Sequence, residues 1–161
     1  MVDQYRPLLH HLLYQISLLS FVDTIVYGGG TNGLMGVIRE QAEIHKLSVR
    51  GHNMIRWNPL PGEFIYDSLR TRQAGIIDDS HAYLILPGGM GSLHELIQVL
   101  CENDVHRIQK PVAIYDPENI YLPLKEIFTK MVDLQLIENY PNCKWLSSIE
   151  EIPLWLMQIS V

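Results

Sequence analysis

Thr24-Ile-Val-Tyr-Gly-Gly-Gly-Thr-Asn-Gly33 decides how this chain is read. Its first four residues are a β-branched and aromatic run of the kind that forms a buried strand, and the run stops on three glycines. A helical pattern follows from about Gly33, with Leu34, Val37, Ile38 and Ala42 on one stripe. The stretch therefore reads as strand, glycine turn, helix. Gly28 to Gly33 spells G-x-G-x-x-G in the one context where that pattern has a mechanical meaning. Glycine lets the backbone turn tightly and come close to an anion, and the amides at the helix start, at the positive end of its dipole, favour a phosphate. The same glycines also suit a tight turn with close helix packing and nothing more.

Working outward, a second strand-to-helix turn occurs downstream. Ala82-Tyr-Leu-Ile-Leu86 is the clearest strand, and it ends in Pro87-Gly-Gly-Met-Gly-Ser92, after which Leu93, Leu96, Ile97, Leu100 and Cys101 mark a helix with one buried side. Leu47 to Gly51, Pro111 to Tyr115 and Cys143 to Leu146 read as further strands, and Asn58 to Gly62 as a proline-bearing loop. Asp67 is placed to cap a helix running to about Asp79 that carries Leu69, Ile76 and Ile77, and helices are also expected over Leu122 to Leu134 and Ile149 to Ile159. Continuous apolar strands alternating with amphipathic helices need crossover connections. The expected fold is α/β, doubly wound, a mainly parallel sheet with helices on both faces, Rossmann-like, over a single domain of residues 1–161. Carboxyl ends of parallel strands are where such sheets bind ligands, so two glycine turns on one edge are expected to make a pocket.

Composition narrows the function classes. Hydrophobic residues make up 47% of the 161 and charged residues 19%, which describes a globular chain able to bury its own core. The net charge is −6 and the 12 Lys and Arg are scattered, so no nucleic-acid track is expected. Leu8, Leu9, Leu12, Leu13, Ile16 and Leu19 recur at helical spacing. That segment contains His10, His11 and Gln15, has no cleavage site and is too short to span a bilayer. It reads as a first helix with one buried face, in a cytoplasmic protein without a membrane partner. Cys101 and Cys143 have no CxxC spacing and read as reduced and structural, and the histidines form no HExxH or other ligand spacing, so no metal is expected.

Three residues carry chemistry in one reading and scaffolding in another. Ser92 and Glu95 form S-x-x-E at a helix start, which is a capping box, or a phosphate-binding start whose carboxylate reaches the sugar of a nucleotide. Arg72, in the short basic stretch Arg70-Thr-Arg72, is a solvated charge or a fork for phosphate.

Tyr27-Gly-Gly-Gly-Thr-Asn-Gly-Leu-Met-Gly36 and Pro87-Gly-Gly-Met-Gly-Ser-Leu-His-Glu95 resemble the GGGxxGLMG and PGGxGTxxE motifs of the Lonely Guy family, cytokinin riboside 5′-monophosphate phosphoribohydrolases often mislabelled lysine decarboxylases. The resemblance runs from about Thr24 to the C-terminus. It implies hydrolysis of the N-glycosidic bond of a nucleoside 5′-monophosphate, without metal or organic cofactor, by a homodimer. It makes Arg72 and Glu95 catalytic and assigns phosphate and ribose contacts to Gly28, Gly29, Gly30, Thr31, Gly33, Met35, Gly88, Gly89, Gly91 and Ser92. Four features depart from the family pattern. Nothing in Met1 to Leu19 matches its CGSS-like first strand and turn, so that strand is expected to be missing. Gln73 stands in the second place of its arginine-lysine pair, His81 replaces the aspartate before a strand, and Ser92 replaces the motif threonine. Pyridoxal chemistry needs a Schiff-base lysine, and no lysine lies near either glycine turn.

Two other readings stand beside the hydrolase. One is a nucleotide-binding or sensing module of the same superfamily that does not cleave its ligand. The other is an NAD(P)-dependent oxidoreductase, which ranks last: where a dinucleotide site carries an acidic residue after the next strand, this chain has Ser48-Val-Arg-Gly-His52.

Overall fold

A computed structural model describes residues 2–106 and 109–160. A 3-10 turn, Val2–Tyr5, leads into α1 (Arg6–Ser17), and then β1 (Thr24–Tyr27), α2 (Leu34–Ile44), β2 (Ser48–Met54), a 3-10 turn at Ile55–Trp57, β3 (Phe64–Tyr66) and α3 (Leu69–Asp79). The chain continues through β4 (Tyr83–Ile85), α4 (Met90–His106), β5 (Val112–Tyr115), α5 (Leu122–Asp133), β6 (Lys144–Leu146) and α6 (Glu151–Ile159). The alternation is α/β with parallel sheets, as the sequence indicates. Among the described residues no strand precedes β1.

The chain divides into two compact units, Met1–Ser80 with Pro153–Val161, and His81–Ile152. In the first, the sheet order is β1-β2-β3, all parallel: Thr24 pairs with Ser48 and Tyr27 with Gly51, and His52 to Met54 pair with Phe64 to Tyr66. α1 buries Leu9, Leu12, Leu13 and Ile16, the i, i+3, i+4, i+7 face that its leucine spacing encodes, and Pro7 sits where a missing amide costs least. β2 changes character along its length. Ser48 and Arg50 are exposed, whereas Gly51, His52, Asn53 and Met54 are all buried, so two polar side chains lie in the interior where the strand approaches its carboxyl end.

β3 is not legible from sequence. It has only three residues, and Phe64 and Ile65 are 52% and 55% exposed, so no burial alternation marks it. The cap of α3 also differs from expectation: Ser68, not Asp67, takes the extended backbone of an N-cap and its Oγ accepts from the Thr71 amide at 3.1 Å. Asp67 instead accepts from the Thr71 hydroxyl.

In the second unit the order is β4-β5-β6, again parallel. β5, Val-Ala-Ile-Tyr, is buried at every position, which a central strand covered on both faces requires. On α4 Leu96, Val99 and Leu100 are buried, but Cys101, expected on that side, is exposed. Neither cysteine is in a disulfide, and burial pushes the Cys143 thiol up to about 11. A thiol held protonated in this way is a poor nucleophile.

Candidate functional site

The first glycine turn follows β1. Gly29, Gly30 and Gly33 have φ of 79°, 72° and 61°, backbone that L side chains rarely adopt, and Gly33 is the residue from which α2 starts. Gly28 has a different requirement: a Cβ there would collide with the Arg72 guanidinium and come within 2.9 Å of the Met35 sulfur. Met35 therefore packs against the turn, and Thr31 and Gly33 are exposed at its tip. They border an open groove of about 490 Å³ along the start of α2, whose cations are matched: Arg6 pairs with Glu40, and Arg39 with Glu43 at 3.2 Å.

Arg72 is 5% exposed, so it is not the solvated charge that a surface arginine usually is. Its Nε donates to the His52 carbonyl at 2.7 Å and its Nη2 to the Gly28 carbonyl at 2.9 Å. Its guanidinium carbon lies 5.5 Å from the centre of the Trp57 ring. The side chain of α3 is thus fixed across the carboxyl ends of β1 and β2, oriented by two backbone acceptors. Gln73, beside it, is likewise buried.

Sequence reasoning passed over Glu63, which organises this turn. Its side chain is 3% exposed. One carboxylate oxygen accepts from the Gly30 amide at 2.6 Å and the Tyr27 hydroxyl at 3.0 Å, the other from Asn53 Nδ2 and the Leu60 amide, both at 2.8 Å. Burial alone pushes its pKa up. The bonds from Asn53, Gly30, Leu60 and Tyr27 together outweigh that and hold it below its ordinary 4.5. One glycine-turn amide assigned to a substrate phosphate therefore already serves a carboxylate of the chain itself. A Glu immediately after the proline-bearing loop has no periodic or motif signal, so only the folded chain reveals it.

A second buried polar set lies on β2. His52 Nδ1 is 2.9 Å from the Tyr66 hydroxyl and Nε2 is 3.1 Å from Asp79, which also pairs with Arg50. Burial works against the Asp79 charge, but the His52 and Arg50 contacts win and its pKa is lowered. Gly75 has no room for a side chain because the Tyr66 hydroxyl lies against it.

The second turn follows β4. α4 begins at Met90, and the Gly89 carbonyl accepts the first helical bond, from the Leu93 amide at 3.1 Å. Ser92 is thus inside the first turn and Glu95 in the second, so neither occupies its place in a capping box. The Ser148-x-x-Glu151 pair does behave that way: the Glu151 carboxylate accepts from the Ser148 amide at 3.0 Å. The Ser92 Oγ lies against Gly88, where it leaves no space for a Cβ. Tyr121, another residue without a sequence signal, is 4% exposed and its hydroxyl reaches the carbonyls of Leu86 and Gly88, both at 3.2 Å. Burial pushes the Tyr121 hydroxyl up, with Gly88 and Ser92 acting in the opposite sense.

Gly89 and Gly91 are the informative pair. Neither has positive φ, and a Cβ added to either meets nothing within 4 Å among the described residues. The protein itself therefore does not demand glycine at these two exposed positions. Bare backbone at the start of a helix leaves room for something outside the chain to press against the amides. Gly91→Ala is accordingly expected to leave thermal stability unchanged or raise it by about 0.5 kcal/mol, since alanine is the better helix residue. It should at the same time weaken nucleotide binding, checked by melting and titration on one sample. Among the described residues no group of three or more His, Cys, Asp and Glu gathers to hold a metal, and no helix is long and apolar enough to cross a membrane.

Parallel strands ending in glycine turns, each followed by a helix, define a Rossmann-like α/β protein. The chain belongs to the family described as "Possible lysine decarboxylase", matched over residues 22–152, which is the Lonely Guy family. Relatives include the cytokinin riboside 5'-monophosphate phosphoribohydrolases LOG7 and LOG1 of Arabidopsis thaliana, each 30% identical, over 140 and 117 residues that cover 76% and 68% of this chain. The matched stretches span 63% and 54% of those proteins. Among solved structures, a molybdenum cofactor binding protein of the phototrophic bacterium Rippkaea orientalis superposes with a TM-score of 0.66 at 17% identity, over 95% of this chain and 86% of that one, a likeness of fold.

Proposed function

We propose that this chain is a phosphoribohydrolase that cleaves the N-glycosidic bond of a nucleoside 5′-monophosphate, an AMP-like or cytokinin riboside monophosphate, to free base and ribose 5-phosphate. The observation that supports the reading is the unhindered backbone at Gly89 and Gly91, where the fold places no demand for glycine. The names of the relatives point to the same substrate class. In this mechanism the amides of the second turn and the Ser92 hydroxyl hold the phosphate, and Arg72, pre-oriented by two carbonyls, orients the nucleotide. The Glu95 carboxylate, while still anionic, stabilises the positive charge that the ribose develops as the base leaves with the bonding electron pair and takes a proton from solvent, and Glu95 then accepts the proton of the water that adds at the anomeric carbon. The chain acts as one nucleotide-binding domain in a cytoplasmic homodimer and needs no cofactor.

The phosphate supplies binding energy remote from the breaking bond, so adenosine should be turned over at least about 100-fold less efficiently than AMP. Base release from AMP, N6-isopentenyl-AMP and adenosine, separated chromatographically, tests this. Comparable turnover of nucleoside and nucleotide would remove the phosphate anchor, and absence of base from every monophosphate would end the hydrolase reading. A second reading, nucleotide binding without cleavage, is favoured by one observation: the buried neighbour of Arg72 is the uncharged Gln73. It expects saturable binding with the ligand recovered intact.

A further inference from the structure

We propose that Trp57 is the platform on which the base of the nucleotide stacks, so that the first unit recognises a planar heteroaromatic ring. The inference rests on the nucleotide reading above and adds a residue that no motif contains. β1 and β2 are hydrogen-bonded parallel neighbours, so their carboxyl ends lie on the same sheet edge. Open α/β sheets take their ligands at that edge. The glycine turn leaves β1 there, and Trp57 stands three residues past the end of β2, on the 3-10 turn Ile55–Trp57. Asn58, in left-handed backbone with φ 50°, closes that turn.

Exposure of a single tryptophan carries no message by itself. The surroundings of this one do. Trp57 is 46% exposed, and the guanidinium that lies 5.5 Å from the centre of its ring is that of Arg72, the same group that is bonded to the Gly28 and His52 carbonyls. The cation holds one end of the interaction in a fixed position, so the indole is placed instead of swinging freely. The second cation near the ring, Arg56 at 5.9 Å, is an exposed side chain adjoining Trp57 in sequence and is free to be displaced by a ligand. Bases stack on aromatic side chains through their π-faces whatever their edge pattern, so the platform selects for a flat ring and leaves the choice among bases to edge contacts.

The test compares wild type, Trp57→Phe and Trp57→Ala with two probes, AMP and ribose 5-phosphate. Trp155 is buried and Trp145 half-buried, so Trp57 is the most exposed of the three tryptophans. AMP is expected to quench the fluorescence of wild type and ribose 5-phosphate to leave it nearly unchanged. Trp57→Ala should weaken AMP binding about 10-fold or more while leaving the affinity for ribose 5-phosphate within about 2-fold, and Trp57→Phe should retain most of the AMP affinity. Equal loss of both probes would mean that Trp57 only holds Arg72, and unchanged AMP affinity in Trp57→Ala would mean that no base rests on it. Either result overturns the platform and leaves the hydrolase reading standing. Wild type that binds neither probe overturns both.

Discussion

Glu95→Gln is expected to abolish measurable base release from AMP, lowering turnover by about 100- to 1000-fold, while the melting temperature and nucleotide affinity stay close to those of the wild type. The substitution removes the charge at nearly constant size. A capping role would give a different pattern, because losing a helix cap costs about 1 kcal/mol of stability and leaves chemistry alone. The helix register argues against the cap in advance. The Gly89 carbonyl accepts the first helical bond, so Glu95 lies six residues inside, beyond the reach of the unpaired amides of the first turn. Steady-state assays beside circular dichroism melts of the same preparations decide the matter. A variant that retains turnover but melts early would return Glu95 to the scaffold.

Glu63→Gln should destabilise the protein by roughly 3 kcal/mol, a drop in melting temperature of about 10 °C for a chain of this size. The reason is that both carboxylate oxygens face donors only. Gly30 and Tyr27 donate to one oxygen, and Asn53 and Leu60 to the other. An amide must turn its NH2 towards one of those pairs, so two buried donors lose their acceptor and meet a third donor. The carboxylate also makes stability depend on acid. Its folded pKa lies below the ordinary 4.5, so its contribution is fully present above about pH 4.5 and is lost as pH falls through the folded value. Urea unfolding of wild type should therefore show stability falling below about pH 4.5. The loss should be shallower in Glu63→Gln, although not flat, because the lowered Asp79 contributes in the same direction. An identical acid profile in the two proteins would show that Glu63 is not the group responsible.

Both glycine turns were readable because glycine clusters that follow β-branched runs are local signals. β1 runs Thr24–Tyr27 as read, and β2 begins at Ser48, one residue after the expected start. The leucine spacing of α1 and the continuous apolar run of β5 led to the right elements for the same reason, since a helix face and a buried strand are written in residues a few positions apart. β3 escaped because an exposed three-residue strand has neither length nor alternation. The cap at Ser68 escaped because two adjacent residues, both good caps, differ only in backbone angles.

Local order along the chain was enough to establish an α/β protein of this family with two glycine turns after strands. Folding in three dimensions decided what each turn is bonded to. Glu63 is 33 residues from the Gly30 amide that it accepts from, and Arg72 is 44 residues from the Gly28 carbonyl to which it donates. Such partners are set by strand pairing and by the burial of polar groups that must find a counterpart, and neither leaves a periodic trace in the sequence.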